Sequence, residues 1–159
     1  MPLPKIETPR YTLTVPSSGN TVQYRPYLVK EEKILMLALE SEDDTDMIDA
    51  IKRVIESCTD GQLNDTNMTM FDLEFFFTNL RAKSVGESST VIIPCSKCEK
   101  RSEVTIDLST VSVNVPQDDE YYLRSIDDQI KVRMRFPTIF QTMNLIKSYN
   151  NDVDLAYNL

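Results

Sequence analysis

The sequence predicts an α+β fold, because its hydrophobic pattern changes from a period of two to helical spacing and back again. A segment that reads as an N-terminal β-hairpin is followed by three segments with apolar residues every three or four positions. From Ser89 the period of two returns, on both sides of a C-x-x-C turn. We therefore expect a helical core of three to five helices and a small antiparallel β insertion around that turn.

The predicted N-terminal hairpin leads directly into the first helix. "YTLTVPSSGNTVQY" alternates apolar and polar residues on either side of a Ser-Ser-Gly-Asn turn. "VKEEKILMLALES" has helical spacing, and the acids in its first turn suit the positive end of the helix dipole. Its predicted buried stripe consists of Ile34, Leu35, Ala38 and Leu39.

Two further helices are predicted before the insertion. "EDDTDMIDAIKRVIESCTDG" carries Cys58 on its apolar stripe and ends near Gly61. "TMFDLEFFFTNLRAKSVG" begins with Thr69 as N-cap and Asp72 in the capping-box position. Its apolar residues extend around more than one face, so we expect it to lie at the centre of the core or to face a partner. The candidate partner-binding residues are Phe71, Phe75, Phe76 and Phe77.

These patterns divide the chain into three segments. Residues 1–88 comprise the hairpin and helical region, residues 89–136 the β-rich insertion with the C-x-x-C, and residues 137–159 a C-terminal helical segment. Strands are expected at "STVIIP", "SEVTIDLS", "TVSVNVP" and "QIKVRMRFP", after which Pro137 can open a helix. "DVDLAYNL" starts another amphipathic pattern without a helix terminator, so we expect the native chain to extend past Leu159.

Composition and charge disfavour several classes of function. The net charge is −8, whereas nucleic-acid binders usually carry a basic surface, so we expect no nucleic-acid ligand. No apolar window is long enough to span a membrane, and no Gly-rich phosphate loop is present. The first fifteen residues have no apolar h-region, so we expect no signal sequence. We expect a cytosolic product whose three cysteines are reduced.

The C-x-x-C formed by Cys95 and Cys98 has three interpretations. Two thiolates at this spacing can converge on one zinc ion, but a closed site needs four ligands, and the chain has no second pair and no histidine. Cys58 could add a third ligand only if its helix packs against this turn. A site made from two copies of the chain would also reach four ligands. A redox pair would normally stand at a helix N-terminus, whereas this pair lies between strands. A plain turn is the third interpretation, so we expect no cofactor, with zinc at Cys95 and Cys98 left open.

The remaining polar clusters give no catalytic arrangement. The chain has no histidine that could act with the acidic runs "ESEDDTDMID" and "VPQDDEYY" in acid–base catalysis. Helix capping and solvation account for these runs. Lys131, Arg133 and Arg135 form the polar face of a predicted strand, which suits a solvated sheet face and leaves docking to an acidic partner open. We therefore predict that the chain is not an enzyme.

Three passages resemble a known family of T4-type bacteriophage baseplate hub proteins. Residues 1–41 resemble the amino-terminal part of that family, "FDLEFFFTNLRAKSVGE" its central helix, and "VIIPCSKCEKRSEVTIDL" its following segment. "YRPYLVKEEK" and "LRAKSVGE" are the most specific pieces. The resemblance implies a virion protein of the tail baseplate, made in the host cytoplasm. It would be a structural or assembly protein of the central hub of a contractile tail that docks to other hub and tail proteins.

The resemblance transfers no catalytic residues. If members of the family bind a metal, the matching positions here are Cys95 and Cys98. A homo-oligomer stays open, as does the alternative of a small zinc-binding adaptor that uses this cysteine pair.

Overall fold

The computed structural model describes residues 8–63, 68–116, 122–127 and 129–148, and it confirms the α+β class. In chain order the elements are β1 (Tyr11–Thr14), β2 (Thr21–Tyr24), α1 (Val29–Glu40), α2 (Asp44–Cys58), α3 (Met70–Ser84), β3 (Ser88–Pro94), β4 (Arg101–Asp107), a short 3-10 helix (Leu108–Thr110), β5 (Leu123–Ser125), β6 (Lys131–Arg133) and α4 (Ile139–Ser148). Within the described ranges, the strands form three separate antiparallel hairpins, β1–β2, β3–β4 and β5–β6.

The first hairpin has the predicted strands and turn. Leu13 lies opposite Val22, and Tyr11 lies opposite Tyr24. Gly19 has a φ of 69°, a left-handed conformation that glycine adopts without a steric penalty. The hairpin can therefore turn within six residues and present Val22 and Tyr24 to the core.

The predicted starts of α2 and α3 are confirmed by their caps. The Asp43 carboxylate accepts a hydrogen bond from the Thr45 backbone N–H at 2.7 Å. At α3, the Asp72 carboxylate accepts from the Thr69 backbone N–H at 3.1 Å, and the Asp72 N–H donates to the Thr69 hydroxyl at 3.3 Å. This reciprocal capping box satisfies two backbone donors that a helix start leaves unpaired.

The hydrophobic core lies between the first hairpin and the helices. α3 supplies Leu73, Phe76 and Leu80, each at most 2% exposed, and α4 adds Ile139 at its first residue. The other core residues are Val15, Val22, Tyr24, Leu35, Ala38, Ala50, Val54, Ile55, Cys58 and Met68. Among the described residues, β3, β4, β5 and β6 contribute none to this cluster, so the later hairpins lie outside the core. The division into segments 1–88, 89–136 and 137–159 stays a prediction.

Several local expectations differ from the structure. The buried face of α1 consists of Glu31, Leu35 and Ala38, while Ile34 and Leu39 of the predicted stripe are exposed. "TVSVNVP" forms no strand, since Leu108–Thr110 is a 3-10 helix and residues 111–116 have no regular structure. Here Asp107 accepts hydrogen bonds from the backbone and hydroxyl of Ser109, which turns the chain away from β4.

The entry into α4 also differs from the prediction. The helix begins at Ile139, and the Thr138 backbone N–H donates to the Gln141 side chain at 3.1 Å. Pro137 therefore precedes the helix and does not occupy its first position. "DVDLAYNL" and most of "VPQDDEYY" lie outside the described residues. In the described part of the chain, no helix is long and apolar enough to cross a membrane.

Candidate docking surface and cysteine knuckle

The side of α1 that faces away from the core is open to solvent and carries four large apolar residues among charged ones. Val29 is 80% exposed and Leu39 is 64% exposed, and Met36 and Leu37 are each more than half exposed. We call these four residues the α1 outer face. Val29 and Met36 are seven positions apart, two helical turns, so they lie on the same side of the helix. Contiguous exposed apolar residues are typical of binding sites on folded proteins, so the α1 outer face is the candidate docking surface.

A buried ion pair fixes the start of α1. The Glu31 carboxylate is 1% exposed and accepts hydrogen bonds from the Arg25 guanidinium at 2.8 Å and the Ser57 hydroxyl at 2.8 Å. The Leu28 backbone N–H donates to the same carboxylate at 2.9 Å, and the Lys30 ammonium lies 3.2 Å away. Glu31 thus joins the end of β2, the start of α1 and the end of α2.

The electrostatics of Glu31 follow from this set of donors. Burial alone would raise the pKa of its carboxyl group, but the hydrogen bonds from Arg25, Leu28 and Ser57 outweigh burial and lower the pKa to about 2. Glu31 is therefore a fixed negative charge at neutral pH. Sequence reasoning missed this role because the acid stands among other charged residues. The available signal was Arg25 six residues earlier, within reach of the first helical turn.

The two stretches with the most specific family resemblance contact each other. The Tyr27 backbone N–H donates to the Ser84 hydroxyl at 3.0 Å, and that hydroxyl donates to the Leu80 carbonyl at 2.6 Å. Ser84 is the last residue of α3, and Tyr27 lies just before α1. This contact and the Glu31 network together set the direction of α1 and hold its outer face away from the core.

The four candidate phenylalanines occupy different environments. Phe76 is 2% exposed and packs edge-on against Tyr24, with ring centroids 5.3 Å apart. Phe71 packs edge-on against Phe136 at 5.0 Å, which joins α3 to the segment after β6. Phe75 and Phe77 are partly buried. The expectation that α3 is central to the core is confirmed at Phe76, and partner binding by these rings stays a prediction.

The C-x-x-C forms the tip of the β3–β4 hairpin. The Cys95 backbone N–H donates to the Lys100 carbonyl, and the Glu99 N–H donates to the Cys95 carbonyl, both at 2.9 Å. The backbone N–H groups of Lys97 and Cys98 and the Cys98 thiol form hydrogen bonds to the Cys95 sulfur, and these lower the pKa of the Cys95 thiol. Both cysteines are reduced and exposed. The turn therefore brings two thiols to one solvent-facing point.

Cys58 does not join this pair. Its side chain is fully buried in the core, and burial raises the pKa of its thiol to about 11. Among the described residues, no group of three or more His, Cys, Asp or Glu side chains is arranged to hold a metal ion. The condition under which Cys58 could be a third zinc ligand is therefore not met, and the zinc assignment of Cys95 and Cys98 stays a prediction.

Comparison with protein families identifies the chain as a structural protein of a bacteriophage virion. Residues 8–159 match the family model described as T4 bacteriophage base plate protein, and the chain belongs to this family. It is thus a component of the tail baseplate that works among other baseplate and tail proteins. Membership in a structural family favours a role without catalysis. Searches of curated proteins and of solved structures gave no match.

Proposed function

We propose that this chain is a structural or assembly protein of the central hub of a contractile-tail baseplate, and that it acts by docking to other hub and tail proteins. Family membership supports the baseplate, and the resemblance of "YRPYLVKEEK" and "LRAKSVGE" to hub members supports the hub. The observation that carries the docking mechanism is the α1 outer face, whose apolar residues point into solvent from a helix anchored by buried contacts.

The composition of α1 favours a protein partner over a small ligand. The outer face presents four large apolar side chains to solvent, and the flexible thioether side chain of Met36 fits irregular surfaces. Phe140 on α4 is 72% exposed and adds a second apolar anchor. A few residues at the centre of a protein interface supply most of its binding free energy, and losing one of these costs about 2 kcal/mol or more.

Co-purification with the neighbouring baseplate proteins tests the proposal. The tagged chain should retain at least one hub protein, and the variants Met36→Glu and Leu37→Glu should each weaken that binding by roughly tenfold or more. Arg53→Glu, which changes the charge on the exposed side of α2 by two units in the same direction, is the control for the added negative charge and should bind like the wild type.

Folding is checked in the same samples. Met36 and Leu37 are both more than half exposed, so their replacement should leave the thermal unfolding midpoint nearly unchanged. A wild-type chain that retains none of the hub proteins would refute the proposal, and so would Met36→Glu and Leu37→Glu variants that bind as tightly as the wild type.

A further inference from the structure

We propose that Cys95 and Cys98 form half of a zinc site, and that the same two thiolates of a second copy of this chain form the other half. The site lies at the tip of the β3–β4 hairpin, away from the α1 outer face. It would link two copies through one tetrahedral ion, and it is independent of docking to hub proteins.

The tip has the cysteine spacing and the closed backbone turn that a zinc knuckle requires. In a tetrahedral site with zinc–sulfur bonds of about 2.3 Å, neighbouring sulfurs lie about 3.8 Å apart. Cys95 and Cys98 stand three positions apart in one exposed hairpin turn, the spacing at which two thiolates reach the same ion. Cross-turn hydrogen bonds between Cys95 and residues 99 and 100 close the turn without help from the metal. Glu99 takes a left-handed φ of 56° to complete it.

The number of ligands points to a second chain. Structural zinc sites are closed by four ligands, usually cysteine or histidine. The chain has no histidine, its third cysteine is buried in the core, and the described residues offer no third acidic or thiol ligand beside the pair. A second copy brings two more thiolates of the same geometry, and a two-fold axis through the ion makes the contact self-complementary.

Charge and access at the tip suit this assembly. Every residue from Cys95 to Asp107 is exposed, so a second tip can approach without displacing the core. A zinc ion with four thiolates has a net charge of −2. The turn itself, residues 96–101, carries three basic side chains and one acidic one, so the charge next to the cysteines is opposite in sign to that of the site.

Exposed apolar residues next to the knuckle would be covered by the same contact. Ile92 is 60% exposed and Ile93 is 49% exposed, and they point to opposite faces of β3 directly before the turn. A two-stranded hairpin standing alone in water is marginally stable, so covering these side chains and binding the metal would both stabilise the hairpin.

Metal content and molar mass of the full-length chain test the proposal together. Purified with a phosphine reductant and zinc, the chain should contain one zinc ion for two chains and elute at twice the monomer mass in light scattering. A chelator should remove the ion and return the monomer. Cobalt in place of zinc should give the visible and charge-transfer absorption of a tetrahedral thiolate site.

Variants separate the metal from other causes of association. Cys95→Ser and Cys98→Ser should each lose both the zinc and the dimer while keeping the far-ultraviolet circular dichroism of the wild type. Ser96→Ala, in the same turn, should keep both. A metal-free chain, one zinc ion per monomer, or a dimer that survives the chelator or Cys95→Ser would each overturn the proposal.

Discussion

Replacing Glu31 by glutamine removes a negative charge from inside the protein and keeps the size of the side chain. In the wild type, the carboxylate accepts hydrogen bonds from Arg25, Ser57 and the Leu28 backbone N–H. Glutamine keeps one acceptor oxygen, but an NH₂ group replaces the other oxygen. This group donates and cannot accept, so the donors that contacted that oxygen lose their acceptor. The Arg25 guanidinium, whose side chain is 12% exposed, would lose its charged partner.

The magnitude follows from the pKa of Glu31. The folded protein lowers this pKa from an ordinary 4.5 to about 2. At pH 7 that difference corresponds to about 3 kcal/mol of stability in favour of the folded state. Because the folded pKa is the lower one, the stabilisation is complete above pH 4.5 and is lost as the pH falls toward 2. About 2 kcal/mol of it should be gone at pH 3.

Urea unfolding of both proteins at pH 7 and pH 3, with a chelator present, measures this directly. Glu31→Gln should be about 3 kcal/mol less stable than the wild type at pH 7, and the gap should shrink to about 1 kcal/mol at pH 3. Other carboxyl groups titrate in both proteins and cancel in the difference. Glu40→Gln, exposed on the same helix, should change stability by less than about 0.5 kcal/mol at either pH. A gap that does not depend on pH would refute the reasoning.

Three further predictions concern the core, the capping box and the thiols. Phe76→Ala should lower the free energy of unfolding by about 3–5 kcal/mol in urea, and a loss below about 1 kcal/mol would contradict its place in the core. Asp72→Ala should lower the free energy of unfolding by about 2 kcal/mol in the same assay. The loss exceeds that of a helix cap alone because the Asp72 carboxylate also accepts a hydrogen bond from the Ser17 backbone N–H at 3.0 Å. An unchanged urea midpoint would refute this role of Asp72. Iodoacetamide at pH 8 should modify Cys95 and Cys98 in the metal-free native chain, and mass spectrometry would detect the modified residues. Cys58 should react only after urea unfolds the chain, because it is buried. Rapid labelling of Cys58 in the native chain would contradict this burial.

The sequence predicts the parts of this fold that local chemistry determines. The turn at Gly19, the cap at Thr69 with Asp72 and the end of α2 near Gly61 are each set by residues within a few positions of one another. The alternating pattern around the cysteines likewise specifies β3 and β4, since seven consecutive pairs align along the hairpin.

The parts that the sequence does not predict depend on contacts between distant segments. α1 is apolar on several sides, so its periodicity cannot show which side is buried. The choice is made by Glu31, which must meet Arg25 and Ser57, and this turns Leu39 outward. The exposure of the α1 outer face was not predicted for the same reason, because a residue such as Val29 looks like a core residue until its helix is oriented.

The β3–β4 hairpin extends from a body that does not need it for its core. Loss or lengthening of this arm should leave the packing around Phe76 and Leu80 intact, since no strand residue of the arm belongs to that cluster. Small insertions can therefore change the length and the tip of the β3–β4 hairpin without altering the packing of the core. For the same reason, a tag inserted at residues 96–97 should leave the folding of the core unchanged, while it would separate the two cysteines of the proposed zinc site.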